Sequence, residues 1–222
     1  QIFENKTLYG FEMRGTGRIE NDGVFRSNPG GPNKIYVAMD IGAGGRVEVM
    51  EGSADVQNIL FLQGPSSSVG VYDVASYGTL AFRGSDAEET VIHRLDSGAQ
   101  LAGGGIASSI RGSQLQINAP LTLPISRLAI GTGGALDLNA DLTTLGSLEI
   151  YSDGIITGAG SLTTTGAFIW ESGTIGGAGV LTTQGNVTLA GGGVEENRQV
   201  ALERQWEMAG PVAATGDKLS VA

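Results

Sequence analysis

The stretch Leu148-Glu-Ile-Tyr-Ser-Asp-Gly-Ile-Ile-Thr-Gly-Ala-Gly-Ser-Leu-Thr-Thr-Thr-Gly166 is followed almost at once by a second version of itself, Phe168-Ile-Trp-Glu-Ser-Gly-Thr-Ile-Gly-Gly-Ala-Gly-Val-Leu-Thr-Thr-Gln-Gly185. The second copy lacks one residue between Trp170 and Gly173, so the period is 19 to 20 residues. A period in this range is the mark of a repeat architecture and takes precedence over residue-by-residue propensity.

Hydrophobic columns extend the period in both directions. One runs Leu128, Leu148, Phe168, Val187, Trp206, in steps of 20, 20, 19 and 19, and its partner two residues on runs Ile130, Ile150, Trp170, Leu189, Met208. A third runs Leu101, Leu121, Leu142, Leu162, Leu181, Val200, Leu219, and a fourth Leu115, Leu136, Ile156, Ile175. Within each unit apolar and polar residues alternate, as in Leu148-Glu-Ile150 and Val187-Thr-Leu189, which is the pattern of a strand with one buried face. Short strands joined by glycine-rich corners at this period describe the coil of a β-solenoid. The expected fold is therefore all-β: a single-stranded parallel β-helix of about 19–22 residues per coil. Stacking would put like side chains of successive coils about 4.8 Å apart inside the tube.

Residues 1–222 read as one solenoid, regular over 101–222 and ending partway through a coil, with longer and irregular coils over 1–100. In the first half Val47 and Val49, Val69 and Val71, then Val91 and His93 recur at about 22 residues. There Gly78-Thr-Leu-Ala-Phe82 resembles the later strand openings, and Ser27 to Pro32 and Gly64 to Ser68 look like insertions between coils. A separate N-terminal β domain is the alternative reading. Val194 to Met208 has helical propensity, but Val200, Leu202, Trp206 and Met208 fall 19 residues after Leu181, Thr183, Val187 and Leu189, and register favours another coil. The length then gives roughly eleven coils and a rod of ~50 Å. The start at Gln1, without Met or leader, suggests a processing point or a position inside a longer polypeptide.

Composition supports this reading. Glycine supplies 37 of 222 residues without the three-residue spacing of collagen, and each interior glycine costs a helix about 1 kcal/mol, so frequent left-handed corners are its natural use. A hydrophobic content of 41% with 16% charged residues supports a packed core. Thirteen basic against 23 acidic residues give a net charge of −10, which disfavours nucleic acid and anionic membranes as partners. With no cysteine there is no disulfide, thiolate zinc site or thiol nucleophile, and no apolar run approaches a bilayer span.

The unit Gly166-Ala-Phe-Ile-Trp-Glu-Ser-Gly-Thr-Ile-Gly-Gly-Ala-Gly-Val-Leu-Thr-Thr-Gln-Gly-Asn-Val-Thr-Leu-Ala-Gly-Gly-Gly193 resembles the glycine-rich repeats of large secreted bacterial exoproteins. Gly15-Thr-Gly-Arg-Ile-Glu-Asn-Asp-Gly-Val-Phe25 is similar to the Gly-x-Gly-x-Ile-x-Asn-x-Gly turns of the same proteins, which are filamentous haemagglutinins and autotransporter passengers. The resemblance covers 101–222 well and the remainder loosely. It implies a β-helical stalk outside the cell, and its motifs are structural ones shared by adhesins, enzymes and scaffolds.

Catalytic constellations are sparse. Glycoside hydrolysis needs two carboxylates about 5–9.5 Å apart. Asp86, Glu88 and Glu89 form one acidic run and Glu195 and Glu196 another, both where acids are ordinarily just solvated. Arg83, Arg94, Arg111 and Arg127 are spaced 11 to 17 residues apart, out of step with the coil. His93 is the sole histidine, so a structural or surface role is expected of it. Gly103-Gly-Gly105 and Gly191-Gly-Gly193 lack the Asp of calcium-binding repeats, which leaves no cofactor beyond an adventitious calcium. Two Asn-x-Thr acceptors, Asn5-Lys-Thr7 and Asn186-Val-Thr188, would mark surface positions in a glycosylating host.

Periodic surface order is confined to two threonine columns. Thr143, Thr163 and Thr182 stack on one face, with Thr144, Thr164 and Thr183 beside them, forming rows of the kind that ice-binding solenoids display and that can also hold glycans, although outward threonine is also simply a good strand residue. The function expected is an extracellular structural or adhesive part, a stalk, fibre subunit or matrix component rather than an enzyme. Its partners would be itself end to end, further repeats of the same polypeptide, or cell-surface glycans. A carbohydrate-active β-helix, either a polysaccharide-binding spike or a glycan-cleaving lyase or hydrolase, is the alternative. It requires the acidic 86–89 run and the arginines to share one groove.

Overall fold

The alternation of apolar and polar residues sends every second side chain inward, and the chain coils so that all these inward positions share one interior. The structure, a computed structural model, describes residues 2–4, 10–53, 55–84, 89–190, 200–214 and 220–221. Among these there is no helix, and all strand pairs are parallel. Each coil contributes one short strand to each of three walls. The first wall is built from two five-stranded sheets in succession, Ile2–Glu4 to Gln100–Ala102 and then Leu121–Leu123 to Trp206–Met208. The second is a ten-stranded sheet from Glu12–Met13 to Val212–Ala214, and the third a ten-stranded sheet from Arg18–Asn21 to Ser220–Val221. The expected all-β parallel solenoid is thus the observed fold, with ten rungs and nine steps between them. The step count makes a rod of roughly 43 Å, shorter than the roughly eleven coils counted from length alone.

The columns hold through the regular centre and slip at its edges. On the second wall Leu128, Leu148, Phe168 and Val187 are in register, and Leu80 and Ala107 precede them as Gly78-Thr-Leu-Ala-Phe82 suggested. Leu121, Leu142, Leu162 and Leu181 stack on the first wall, and Leu115, Leu136, Ile156 and Ile175 on the third. Beyond Leu189 the expected register fails. Trp206 lies over Leu181, Met208 over Thr183, Val200 over Gly173 and Leu202 over Ile175, while Val187 is continued by Val212. The cause is the long connection at 190–199, which replaces the two residues that join Phe168–Trp170 to Gly173–Ile175 one rung earlier. Adjacent walls lie only six or seven residues apart along the coil, as in Phe168, Ile175, Leu181 and Val187, so an insertion of similar length slides the pattern by one wall.

The first half shows the same effect. Val47 stacks on Tyr72 and Tyr72 on Leu101, whereas His93 belongs to the third wall between Ser66 and Leu115. Ser66–Ser68, read from sequence as part of an insertion, is a strand of that wall. The longer connections lie at 28–32, within the insertion expected at Ser27 to Pro32, and at 50–57 and 84–90.

Corners are where stacking is tightest. Gly146, Gly166, Gly185 and Gly210 occupy one corner position in four successive rungs, and a Cβ on each of the last three would overlap the carbonyl oxygen of the glycine below it. None of the four has a left-handed φ, so these glycines answer a lack of space. The corner between the second and third walls meets the expectation in part. Its left-handed positions are held in consecutive rungs by Arg111 with Gly112, Thr132 with Gly133, and Ser152 with Asp153, the non-glycine residues at φ of 54°, 51°, 46° and 63°. Such a conformation costs a side-chain-bearing residue about 1–2 kcal/mol. It is offset by backbone bonds between rungs, Arg111 N to Thr132 O at 2.8 Å and Gly112 N to Gly133 O at 3.1 Å.

Leu, Ile and Val fill the interior, with Tyr72, Phe82, Phe168 and Trp170 as its largest members. Toward the end of the tube Phe168, Trp170 and Trp206 pack with ring centres 5.8–6.3 Å apart, and the Trp206 indole N–H donates to Thr183 Oγ1 at 3.1 Å. Arg204 clasps the same region. Only 8% exposed, it donates from its guanidinium to the carbonyl of Gly158, two rungs back, at 2.9 Å. Burial lowers its pKa.

The corner geometry sets a stability test. Gly166→Ala is expected to cost about 1–3 kcal/mol in chemical denaturation, through overlap with Gly146. Gly17→Ala, where a Cβ meets nothing within 4 Å, is expected to change stability by less than about 0.5 kcal/mol. Equal effects at the two sites would refute the spatial explanation.

Candidate functional site

Successive residues of a strand point to opposite faces, and this divides the six threonines singled out from the sequence. Thr143, Thr163 and Thr182 project outward in register on the first wall. Thr144, Thr164 and Thr183 face the interior, each 0–1% exposed. The expectation of two adjacent surface rows therefore gives way to one row. That row gains a member the sequence reading missed, Thr122, which pairs with Thr143 and is exposed. Its signal was available in Leu121-Thr-Leu123, 21 residues before the Leu-Thr-Thr unit. Four hydroxyls about 4.8 Å apart form a line, which lacks the second dimension needed to match an ice or mineral lattice.

Below this row the first wall changes character. Arg26 Nε reaches Glu48 at 2.7 Å, Arg46 Nε reaches the same carboxylate at 3.0 Å, and Arg46 also pairs with Asp73. The register explains the arrangement, because Glu48 lies directly beside Asp73 and Arg46 in the neighbouring column bridges both. Partly exposed pairs of this kind contribute about 0.2–1 kcal/mol each.

The four arginines of the carbohydrate-active reading do not lie on one wall. Arg83 projects from the second wall over the Phe61 ring, 5.5 Å from its centre, and Arg127 projects from the same wall to Glu149 at 3.2 Å. Arg94 is on the third wall and Arg111 in the corner between the two. Glu89 is exposed, whereas Asp86, Glu88, Glu195 and Glu196 lie outside the described residues. No group of three or more His, Cys, Asp or Glu is placed to hold a metal among the described residues. Of the two glycan acceptors, Asn186 is exposed at a corner and Asn5 lies outside the described residues.

His93 sits inside the tube at 0% exposure. Its Nδ1 shares a hydrogen bond of 2.9 Å with Ser66 Oγ, and its ring lies 5.2 Å from Phe82, which in turn meets Tyr72 edge-on at 5.7 Å. Burial pushes the Tyr72 hydroxyl pKa far up, opposed by the Ser66 and Ser68 hydroxyls beside it. A serine and a histidine in hydrogen-bond contact resemble a nucleophile and its base, but Ser66 is 4% exposed and a substrate has no approach to it.

Burial lowers the His93 pKa to about 4, from an ordinary value near 6.5. The folded state therefore holds the imidazole neutral, while the unfolded chain takes up a proton near 6.5. The stability linked to this group is complete above pH 6.5 and falls as the pH drops toward 4, by roughly 3 kcal/mol in all. Denaturation curves of the wild type and His93→Gln are expected to converge as the pH falls from 7 to 4; parallel curves would refute the assignment. No protein-family model, curated protein or solved structure matches the chain, so its reading rests on its own residues.

Proposed function

We propose that this chain is an extracellular structural or adhesive β-solenoid, a stiff segment of a stalk, fibre or matrix that continues end to end into further coils or further copies. The observation that carries the reading is the parallel pairing that runs from the first rung to the tenth on the second and third walls. Such a ladder resists bending because each step is backed by backbone bonds on two or three sides and by an apolar column within. On the first wall Arg26, Glu48, Arg46 and Asp73 are engaged in pairs across rungs, and the buried polar groups are closed off from solvent. The extracellular setting is supported by the resemblance of the 166–193 repeat to secreted exoproteins, and by an acidic surface that opposes sideways clumping. Exposed strand edges pair readily with other edges, and a parallel rung presents the complement of what the next rung needs.

Negative-stain electron microscopy of the purified chain at high concentration is expected to show rods of roughly 43 Å and end-to-end multiples of that length. Dispersed single rods alone would remove the self-stacking element. Release of reducing or unsaturated sugar ends from a polysaccharide panel would overturn the structural reading in favour of an enzyme.

A further inference from the structure

The second and third walls pair without a gap from the first rung to the tenth, but the first wall is interrupted once. Gln100–Ala102 of the fifth rung and Leu121–Leu123 of the sixth follow one another on that wall and do not pair. Among the described residues this is the one step at which consecutive strands of a wall fail to join.

The sequence around Leu121–Leu123 supplies the cause. Alternate residues of a parallel strand bond to the rung above and to the rung below. Leu121 N donates upward to Asp141 O at 3.0 Å, and Leu123 O accepts from Leu145 N above it at 3.0 Å. Pro120, Thr122 and Pro124 therefore turn their backbone groups downward, toward Gln100–Ala102. In the four rungs stacked over Pro124 the same position is held by Leu145, Thr165, Gln184 and Ala209, and each donates its N–H to the rung below at 2.8–3.0 Å. In the column of Pro120 the donors are Ser161 and Val180, whose N–H groups reach Asp141 Oδ1 at 2.8 Å and Ser161 Oγ at 3.3 Å. Proline has no N–H to give at either place, and inside a sheet it removes a ladder bond. Of the three downward residues only Thr122 keeps a donor. Packing records the interruption too, since Leu121 is half-buried where Leu142, Leu162 and Leu181 above it are 0–1% exposed.

The interruption has firm edges. On the third-wall side Asn118 N donates to Leu95 O at 2.9 Å and the Asn118 side chain to Asp96 at 2.7 Å. On the second-wall side Ser126 donates to Gly105 O from its N at 3.0 Å and from its Oγ at 2.7 Å. Beyond these ties Val91–Leu95 pairs with Ser113–Ile117, and Ile106–Ile110 with Arg127–Gly131, over five residues each. Two walls hold the rod at this step and the first is left unpaired. We propose that the step is a hinge, at which the rod opens along the first wall by bending about the other two, with Pro120 and Pro124 keeping the seam unpaired. A hinge of this kind confines the backbone change to a few residues while the packed bodies on either side move as units, here two halves of five rungs. A stalk so built yields in one direction and stays stiff in the others. The inference goes beyond the stalk reading and concerns the chain alone, so its failure would leave that reading standing.

The chain has no cysteine, so pairs of spin labels can be introduced freely. Double electron–electron resonance on Val71→Cys with Thr163→Cys reads four steps of the first wall across the seam, and Thr122→Cys with Glu207→Cys reads four steps of the same wall without it. The crossing pair is expected to give a distance distribution at least about twice as wide as the other, and Pro120→Ala with Pro124→Ala to narrow it. Equal widths for the two pairs overturn the hinge, and a width unchanged by the two alanines overturns the part given to the prolines. Hydrogen exchange followed by NMR on the unsubstituted chain gives an independent reading. The Thr122 amide is expected to exchange at least about tenfold faster than that of Thr143, and equal protection would overturn the open seam. All of these are read on single rods, so none depends on the end-to-end growth seen by microscopy.

Discussion

Rungs about 4.8 Å apart leave no room at a corner for a side chain aimed along the axis, and much of this sequence follows from that one spacing. In the flat walls the constraint is mild, because side chains point in or out and like residues stack. At a corner the backbone turns and the Cβ direction swings toward the neighbouring rung. Gly166 above Gly146, Gly185 above Gly166 and Gly210 above Gly185 record the result. Glycine richness is therefore chiefly a packing requirement at this corner. At the left-handed turns between the second and third walls Arg111 and Thr132 stand beside Gly112 and Gly133, and both of these turns are tied by backbone bonds to the turn in the next rung.

In-register stacking also governs the surface. A parallel ladder brings equivalent residues together, so a repeated charge would face itself at every step. The first wall answers this in two ways along its length. Its early part alternates Arg26, Glu48 and Asp73 with Arg46 as a bridge. Its later part replaces charge with the uncharged row of Thr122, Thr143, Thr163 and Thr182. On the second wall Lys34 stands over Glu12, in register and 2.8 Å away. Surface pairs of this kind set which rung faces which more than they add stability.

The architecture was legible in the sequence because one unit repeats nearly verbatim. From Leu121 to Leu189 the column residues sit where periodicity put them. The misplacements have one physical origin, which is that all three walls share the same apolar-polar-apolar signature. Val200-Ala-Leu202 fits the third wall as well as the first, and only pairing with Gly173–Ile175 decides between them. Inward and outward assignment was legible too, since Thr143 and Thr144 are neighbours in a strand and cannot share a face. His93 carried no sign of its burial, because its strand pairs with serine on one side and leucine on the other.

A solenoid whose units touch only their neighbours behaves as a one-dimensional chain, in which end units peel away one at a time. Arg204 breaks that rule locally, since its guanidinium grips the Gly158 carbonyl across the intervening rung. Releasing the rung that carries Val200–Leu202 strips a partly buried cation of its acceptor and uncovers Phe168 and Trp170. Three rungs are thereby joined into one melting unit, and that end of the rod opens as a block where the regular coils would unzip.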